Sequence, residues 1–105
     1  MARTAIIEKV NRYLLLLKEN GINIDKAFLY GSFAKGEDNA NSDIDVLLVS
    51  KMFDSSNDKA VGIAWKITRQ VDPRIEPYLI GLKKFNNDEI SPLLQIIKRE
   101  GILVS

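Results

Sequence analysis

Apolar and polar positions alternate in two different rhythms along this chain, and the switches between them mark its elements. Ile6, Ile7, Val10, Tyr13, Leu14 and Leu17 recur at helical spacing, which predicts a helix over residues 4–20 that Gly21 stops. Residues 26–30 form a short apolar run and read as the first strand. A helical turn over 34–37 and a polar loop over 38–42 come next. Residues 43–50 form a second strand, apolar enough after Asp45 to be buried on both faces. A helix over 54–71 follows, with Ile63, Ile67 and Trp65 as its inward positions, and Asp72-Pro73 breaks it. Residues 74–80 make a third strand. Asn87 opens the last helix, with Leu93, Leu94, Ile96 and Ile97 as its core face up to Gly101. Residues 102–104 suit a short edge strand. Strands alternating with helices around one sheet give an α/β (α+β) fold, a small mixed sheet flanked by helices.

Length and composition support one domain spanning residues 1–105. Fifteen basic and fourteen acidic residues leave a net charge of +1, no footprint for an extended nucleic-acid surface. Without cysteine or histidine the chain has no disulfide, no thiolate metal site and no imidazole base. Glu8, Lys9 and Asn11 interrupt any secretory apolar region, and no run approaches the ~18 residues of a membrane span, so a cytoplasmic protein is expected.

The candidate chemistry lies between the first two strands. Gly31-Ser32 ends the first, and ten residues later Asp43-Ile44-Asp45 opens the second. Residues two apart on a strand share a face, so Asp43 and Asp45 can converge while Ile44 and Val46 enter a core. Paired carboxylates repel unless a cation lies between them, and all-oxygen ligands suit Mg²⁺ or Mn²⁺. Taken alone, Asp-x-Asp equally suits the solvated face of an edge strand. Gly31 permits a sharp turn, and Ser32 can cap the short helix after it, forming a cradle for phosphate.

Gly31-Ser32-x10-Asp43-x-Asp45 resembles the motif of the DNA polymerase beta-like nucleotidyltransferase superfamily. Gly31, Ser32, Ala34, Gly36, Ser42, Asp43, Ile44 and Asp45 match its extended form. The chain is most similar to the minimal nucleotidyltransferases, MNT. That resemblance implies the nucleotidyltransferase fold and Mg²⁺-dependent transfer of a nucleotide, AMP from ATP. It implies nucleotide binding by Gly31 and Ser32, and a third acid beside Asp43 and Asp45 for metal and catalysis. Asp72 reads as a turn former before Pro73; Glu76, alternating with Ile75 on the third strand, is chosen, although Pro77 marks that strand as an exposed edge. Many relatives carry aspartate there. Lys35, Arg69 and Arg74 are weaker phosphate candidates, and Met52-Phe53 is a candidate partner-facing patch. Through the family, a HEPN-domain toxin is the implied partner and a hydroxyl on it the acceptor. The alternatives are an antitoxin that acts by occlusion without catalysis, and transfer to a small molecule of the aminoglycoside type.

Overall fold

The computed structural model describes residues 3–37, 39, 41–87 and 91–105. Helix α1 (Arg3–Glu19) leads into strand β1 (Lys26–Tyr30), the short helix α2 (Ser32–Lys35) and strand β2 (Ile44–Ser50). A 3₁₀ turn (Lys51–Phe53), helix α3 (Asp58–Val71) and strand β3 (Ile75–Gly81) follow. Helices α4 (Leu82–Asn87) and α5 (Pro92–Glu100) and strand β4 (Ile102–Leu103) complete the order.

The strands form one mixed sheet in the order β3-β2-β1-β4. β1 runs antiparallel to β2 and β4, whereas β2 and β3 are parallel. A parallel neighbour requires a crossover, which α3 supplies. β2 is central, and Val46 to Ser50 are buried without interruption. Its alternation divides the core. Ile44, Val46 and Leu48 pack with Ala27, Leu29 and Ile75 against α1 and α3. Leu47 and Val49 pack with Ile80 against Phe85 of α4 and Leu94 and Ile97 of α5.

On α1, Ile6, Val10, Tyr13 and Leu17 form a fully buried stripe. The Tyr13 hydroxyl donates to the Ala64 carbonyl of α3 at 2.8 Å, and burial pushes its phenol well above the ordinary value. β3 is a sheet edge, as Pro77 suggested. The Ile44 N–H donates to the Arg74 carbonyl at 2.8 Å. The alternation of a parallel ladder then turns position 77, which has no N–H to give, toward the outside of the sheet.

Several expectations need correction. α3 begins at Asp58 rather than at 54, with the Asn57 side chain accepting from the Ala60 N–H at 3.2 Å. Asp54 is used elsewhere: its Oδ1 accepts from the Lys83 N–H at 2.9 Å and so caps α4. Gly81 permits that approach, since a Cβ there would lie 2.9 Å from the Phe53 carbonyl oxygen. The inward face of α3 is Ala60, Ala64, Ile67 and Thr68; Trp65 is turned out and 44% exposed. The expected last helix, opening at Asn87, corresponds to α5, which starts at Pro92 behind its Ser91 cap; α4, which ends at Asn87, was not expected, and residues 88–90 lie outside the described ones. Leu94 and Ile97 hold α5 to the sheet, while Leu93 and Ile96 stay 41% and 39% exposed. Met52 and Phe53 pack partly buried against the core rather than standing out as a patch. Among the described residues no helix is long and apolar enough to cross a membrane.

One buried acid ties α1 to the α3–β3 turn. Asp72, 6% exposed, accepts from Lys9 Nζ at 2.8 Å and from Arg74 Nη2 at 2.9 Å. The Arg74 backbone N–H and Nε donate to its Oδ1 at 2.9 and 3.1 Å. The Arg74 hydrogen bonds, with help from Lys9 and against the cost of burial, hold the Asp72 carboxyl well below the usual carboxylate range. A depressed folded-state pKa stabilises the fold above the unfolded value, near ~4, and this contribution is lost as pH falls through the folded value. Asp72→Asn is therefore expected to cost about 2 kcal/mol at pH 7, the scale of a charged hydrogen bond. It should also flatten the fall in stability below pH ~4. Urea denaturation at pH 7 and at pH 3 checks both; equal neutral stability would contradict the assignment.

Candidate nucleotide and metal site

β1 ends at Tyr30, whose register partner on β2 is Asp45; Asp45 is in turn level with Glu76 on β3. Tyr30, Asp45 and Glu76 thus form a row across three strands at one end of the sheet, on the face away from α1 and α3. Glu76 is exposed and Asp45 and Tyr30 are half-buried. Asp43 stands just before β2, exposed, not on the strand as expected. A local turn brings it there. The Asn39 N–H donates to Ser42 Oγ at 2.9 Å, the Ser42 N–H to the Asn39 carbonyl at 3.1 Å, and the Asn41 N–H to Asn39 Oδ1 at 2.8 Å.

Gly31 makes the turn out of β1 with φ +74°, in the left-handed region. A Cβ at this position would collide with Oδ2 of Asp45. The turn therefore requires glycine twice over, for its backbone conformation and for the carboxylate beside it. α2 begins at Ser32. Gly31, not Ser32, is the N-cap, with no side-chain cap bond. Ser32 is therefore not the expected capping residue, and among the described residues its hydroxyl has no recorded partner. Gly36, in the left-handed conformation, closes α2, and the Glu37 N–H returns to the Ser32 carbonyl at 2.9 Å. Phe33 buries α2 in the core, and the Arg74 guanidinium lies 5.9 Å from the centre of its ring.

The electrostatics of the row are those of unneutralised acids. Burial first, then the charges of Glu76 and Asp43, push the Asp45 carboxyl up to about 6. Burial, Asp45, Glu76 and Tyr78 push the Tyr30 phenol up to about 12. Among the described residues no ion pair compensates Asp45. Nor does any group of three or more His, Cys, Asp or Glu among them stand ready-closed around a metal position. The donors are nonetheless all carboxylate oxygens, and their mutual repulsion is what a hard divalent cation relieves. Asp43, Asp45 and Glu76 thus fit Mg²⁺ or Mn²⁺ by chemistry.

Asp72, the other third-acid candidate, is occupied by Lys9 and Arg74 and lies away from the row. Lys35 is exposed at the end of α2, Arg69 is exposed on α3, and Arg74 is bound to Asp72. Tyr30 is the member of the row not singled out from sequence. Its signal was present: with Ala27 and Leu29 inward, alternation sends Tyr30 to the opposite face.

Residues 8–105 match the family model described as "Polymerase beta, Nucleotidyltransferase". Two solved structures share the fold. One, described as a "putative nucleotidyltransferase" from Sulfolobus solfataricus, is 14% identical with a TM-score of 0.64, over 96% of this chain and 80% of that one. The other, a toxin-antitoxin with AMP-PNP, is 22% identical with a TM-score of 0.60, over 90% of this chain and 71% of that one. No curated protein matches the chain at a significant level. With nearly its whole length matched, and with glycine turn and acid row in place, the chain belongs to the polymerase beta nucleotidyltransferase family and is a nucleotidyltransferase.

Proposed function

We propose that this chain is a minimal nucleotidyltransferase that moves AMP from ATP onto a hydroxyl of a partner protein, a HEPN ribonuclease toxin, and thereby acts as its antitoxin. The observation that carries the reading is the close pass of Gly31 beside Asp45, in register with Glu76. It sets a glycine turn that opens a helix against acids in a family that transfers nucleotides. The likeness to a toxin-antitoxin solved with AMP-PNP supports an adenine nucleotide and a protein partner.

The roles follow from position. The Ser32 hydroxyl and the backbone N–H groups of Ser32 and Phe33 at the start of α2 bind the outer phosphates. Asp43, Asp45 and Glu76 would hold Mg²⁺, which supplies neutralisation of the triphosphate charge. Glu76, exposed on the edge strand, takes the proton of the acceptor hydroxyl. The acceptor oxygen then bonds to the α-phosphorus, and the bond to pyrophosphate breaks. Fixed positioning supplies much of the acceleration, as is general for phosphoryl transfer.

Gly31→Ala should cut transfer about 10²-fold, because a displaced carboxylate no longer meets its target. It should cost roughly 1–3 kcal/mol of stability for the strained φ. Steady-state rates and urea midpoints read the two effects separately, and a fully active variant would remove Gly31 from the site.

Glu76→Gln should lower transfer by about 10² or more while leaving the unfolding midpoint in place. Asp72→Asn should do the reverse, losing stability but keeping its rate per folded molecule. If the two outcomes are exchanged, Asp72 is the third acid.

With the partner co-expressed, α-labelled ATP should place labelled AMP on that partner. Asp45→Asn should abolish the label yet still co-purify with the partner. Normal toxin neutralisation by Asp43→Asn protein, with no AMP on the partner by mass spectrometry, would favour occlusion.

A further inference from the structure

The narrow attachment of α5 leaves a second surface at the functional end. Leu93 and Ile96 lie three residues apart on one side of the helix, both exposed beyond the Leu94–Ile97 stripe. They face Tyr30 and Gly31 across a cavity of about 250 Å³, which Lys35 and Glu100 also line. This cavity opens from the site itself. Tyr30 belongs to the acid row and Gly31 to the phosphate turn, so a ligand held at Gly31-Ser32 borders it without a break.

Size and chemistry restrict the occupant. Whole small-molecule pockets run to roughly 300–1,000 Å³. This cavity is smaller and suits one end of a ligand whose remainder lies outside it. Its walls are an aromatic ring and aliphatic side chains, which favour a flat, weakly hydrated group. Glu100 supplies an acceptor at the rim. Its carboxylate is only loosely engaged, with Oε1 3.9 Å from Arg99 Nη2. An ionised carboxylate accepts hydrogen bonds and donates none, so it selects an N–H donor and repels a carbonyl oxygen.

We propose that the α2–α5 cavity seats the base of the bound triphosphate, with Glu100 accepting from an exocyclic amine and so selecting amino-bearing bases such as adenine. This rests on the nucleotide-binding reading above. Leu93 and Ile96 stay exposed because their cover is the ligand.

Calorimetry in Mg²⁺ buffer with three probes tests it: ATP, purine riboside triphosphate (which lacks only the amine) and inorganic tripolyphosphate. ATP should bind tightest and tripolyphosphate weakest. The Leu93→Ala/Ile96→Ala variant should weaken ATP about tenfold, the scale of two partly covered aliphatic contacts, and leave tripolyphosphate unchanged. Glu100→Gln should erase a roughly five- to tenfold preference for ATP over purine riboside triphosphate, the scale of one charge-assisted hydrogen bond at an open rim. All three substitutions are at exposed positions, and an unchanged melting curve confirms folding of each variant. ATP binding no better than tripolyphosphate, or indifferent to the double variant, overturns the base pocket while leaving the phosphate site standing. Equal binding of ATP and purine riboside triphosphate in the parent overturns selection by Glu100. If no probe binds, the nucleotide-binding reading falls, and the pocket with it.

Discussion

The end of the sheet that carries the candidate site depends on a single close approach, that of the Gly31 backbone to the carboxylate of Asp45. β1 and β2 are joined through their Tyr30–Asp45 rung, and immediately beyond it the chain must turn without a side chain in the way. The turn fixes where α2 starts. Phe33 then locks α2 into the core, under the guanidinium of Arg74. Arg74 is itself held by Asp72, and its carbonyl receives the first N–H of β2. The position of the helix relative to the acids is therefore set from both sides, by a missing Cβ and by a buried ring.

Two aspartates of the same chain show how environment sets the energy of a carboxylate. Asp72 is more deeply buried, yet two cations and a backbone N–H keep it ionised and make it stabilising. Asp45 is less buried, but burial first, and then the charges of Glu76 and Asp43, raise its anion in energy, with no ion pair among the described residues to offset them. By linkage, an acid whose folded-state pKa is raised opposes folding wherever it is ionised. The fold tolerates that cost in its best-buried strand, where Leu47, Leu48 and Val49 are fully inaccessible. An acid with a raised pKa and, among the described residues, no cation paired with it is what a candidate site presents and a structural ion pair such as that of Asp72 does not.

The strands were legible because alternation and small-residue turns are local. β1 was placed to the residue, and β2 and β3 to within one. What misled was whatever depends on partners remote in sequence. α4 has only Leu82 and Phe85 as apolar markers, and its cap comes from Asp54, 29 residues earlier, so neither period nor capping signal was visible. Leu93, Ile96 and Trp65 are apolar and lie on helices, but composition cannot say that Leu94, Ile97 and Ala64 fill the available interior. At the candidate site, the motif singled out Gly31, Ser32, Asp43 and Asp45, and the structure sets the Gly31 turn against Asp45. The row of Tyr30, Asp45 and Glu76 is a matter of strand register, which exists only once the sheet has formed.

Pro77 has a consequence for the behaviour of the protein in concentrated solution. A strand at a sheet edge with an intact series of outward donors is a template on which the same strand of another molecule can add. β3 pairs only with β2 among the described residues, and its outward row is broken at the position next to Glu76. Growth of a shared sheet from molecule to molecule is interrupted there, where β3 carries its acid. The chain thus keeps an open margin beside the acid row without offering an unbroken series of donors to copies of itself.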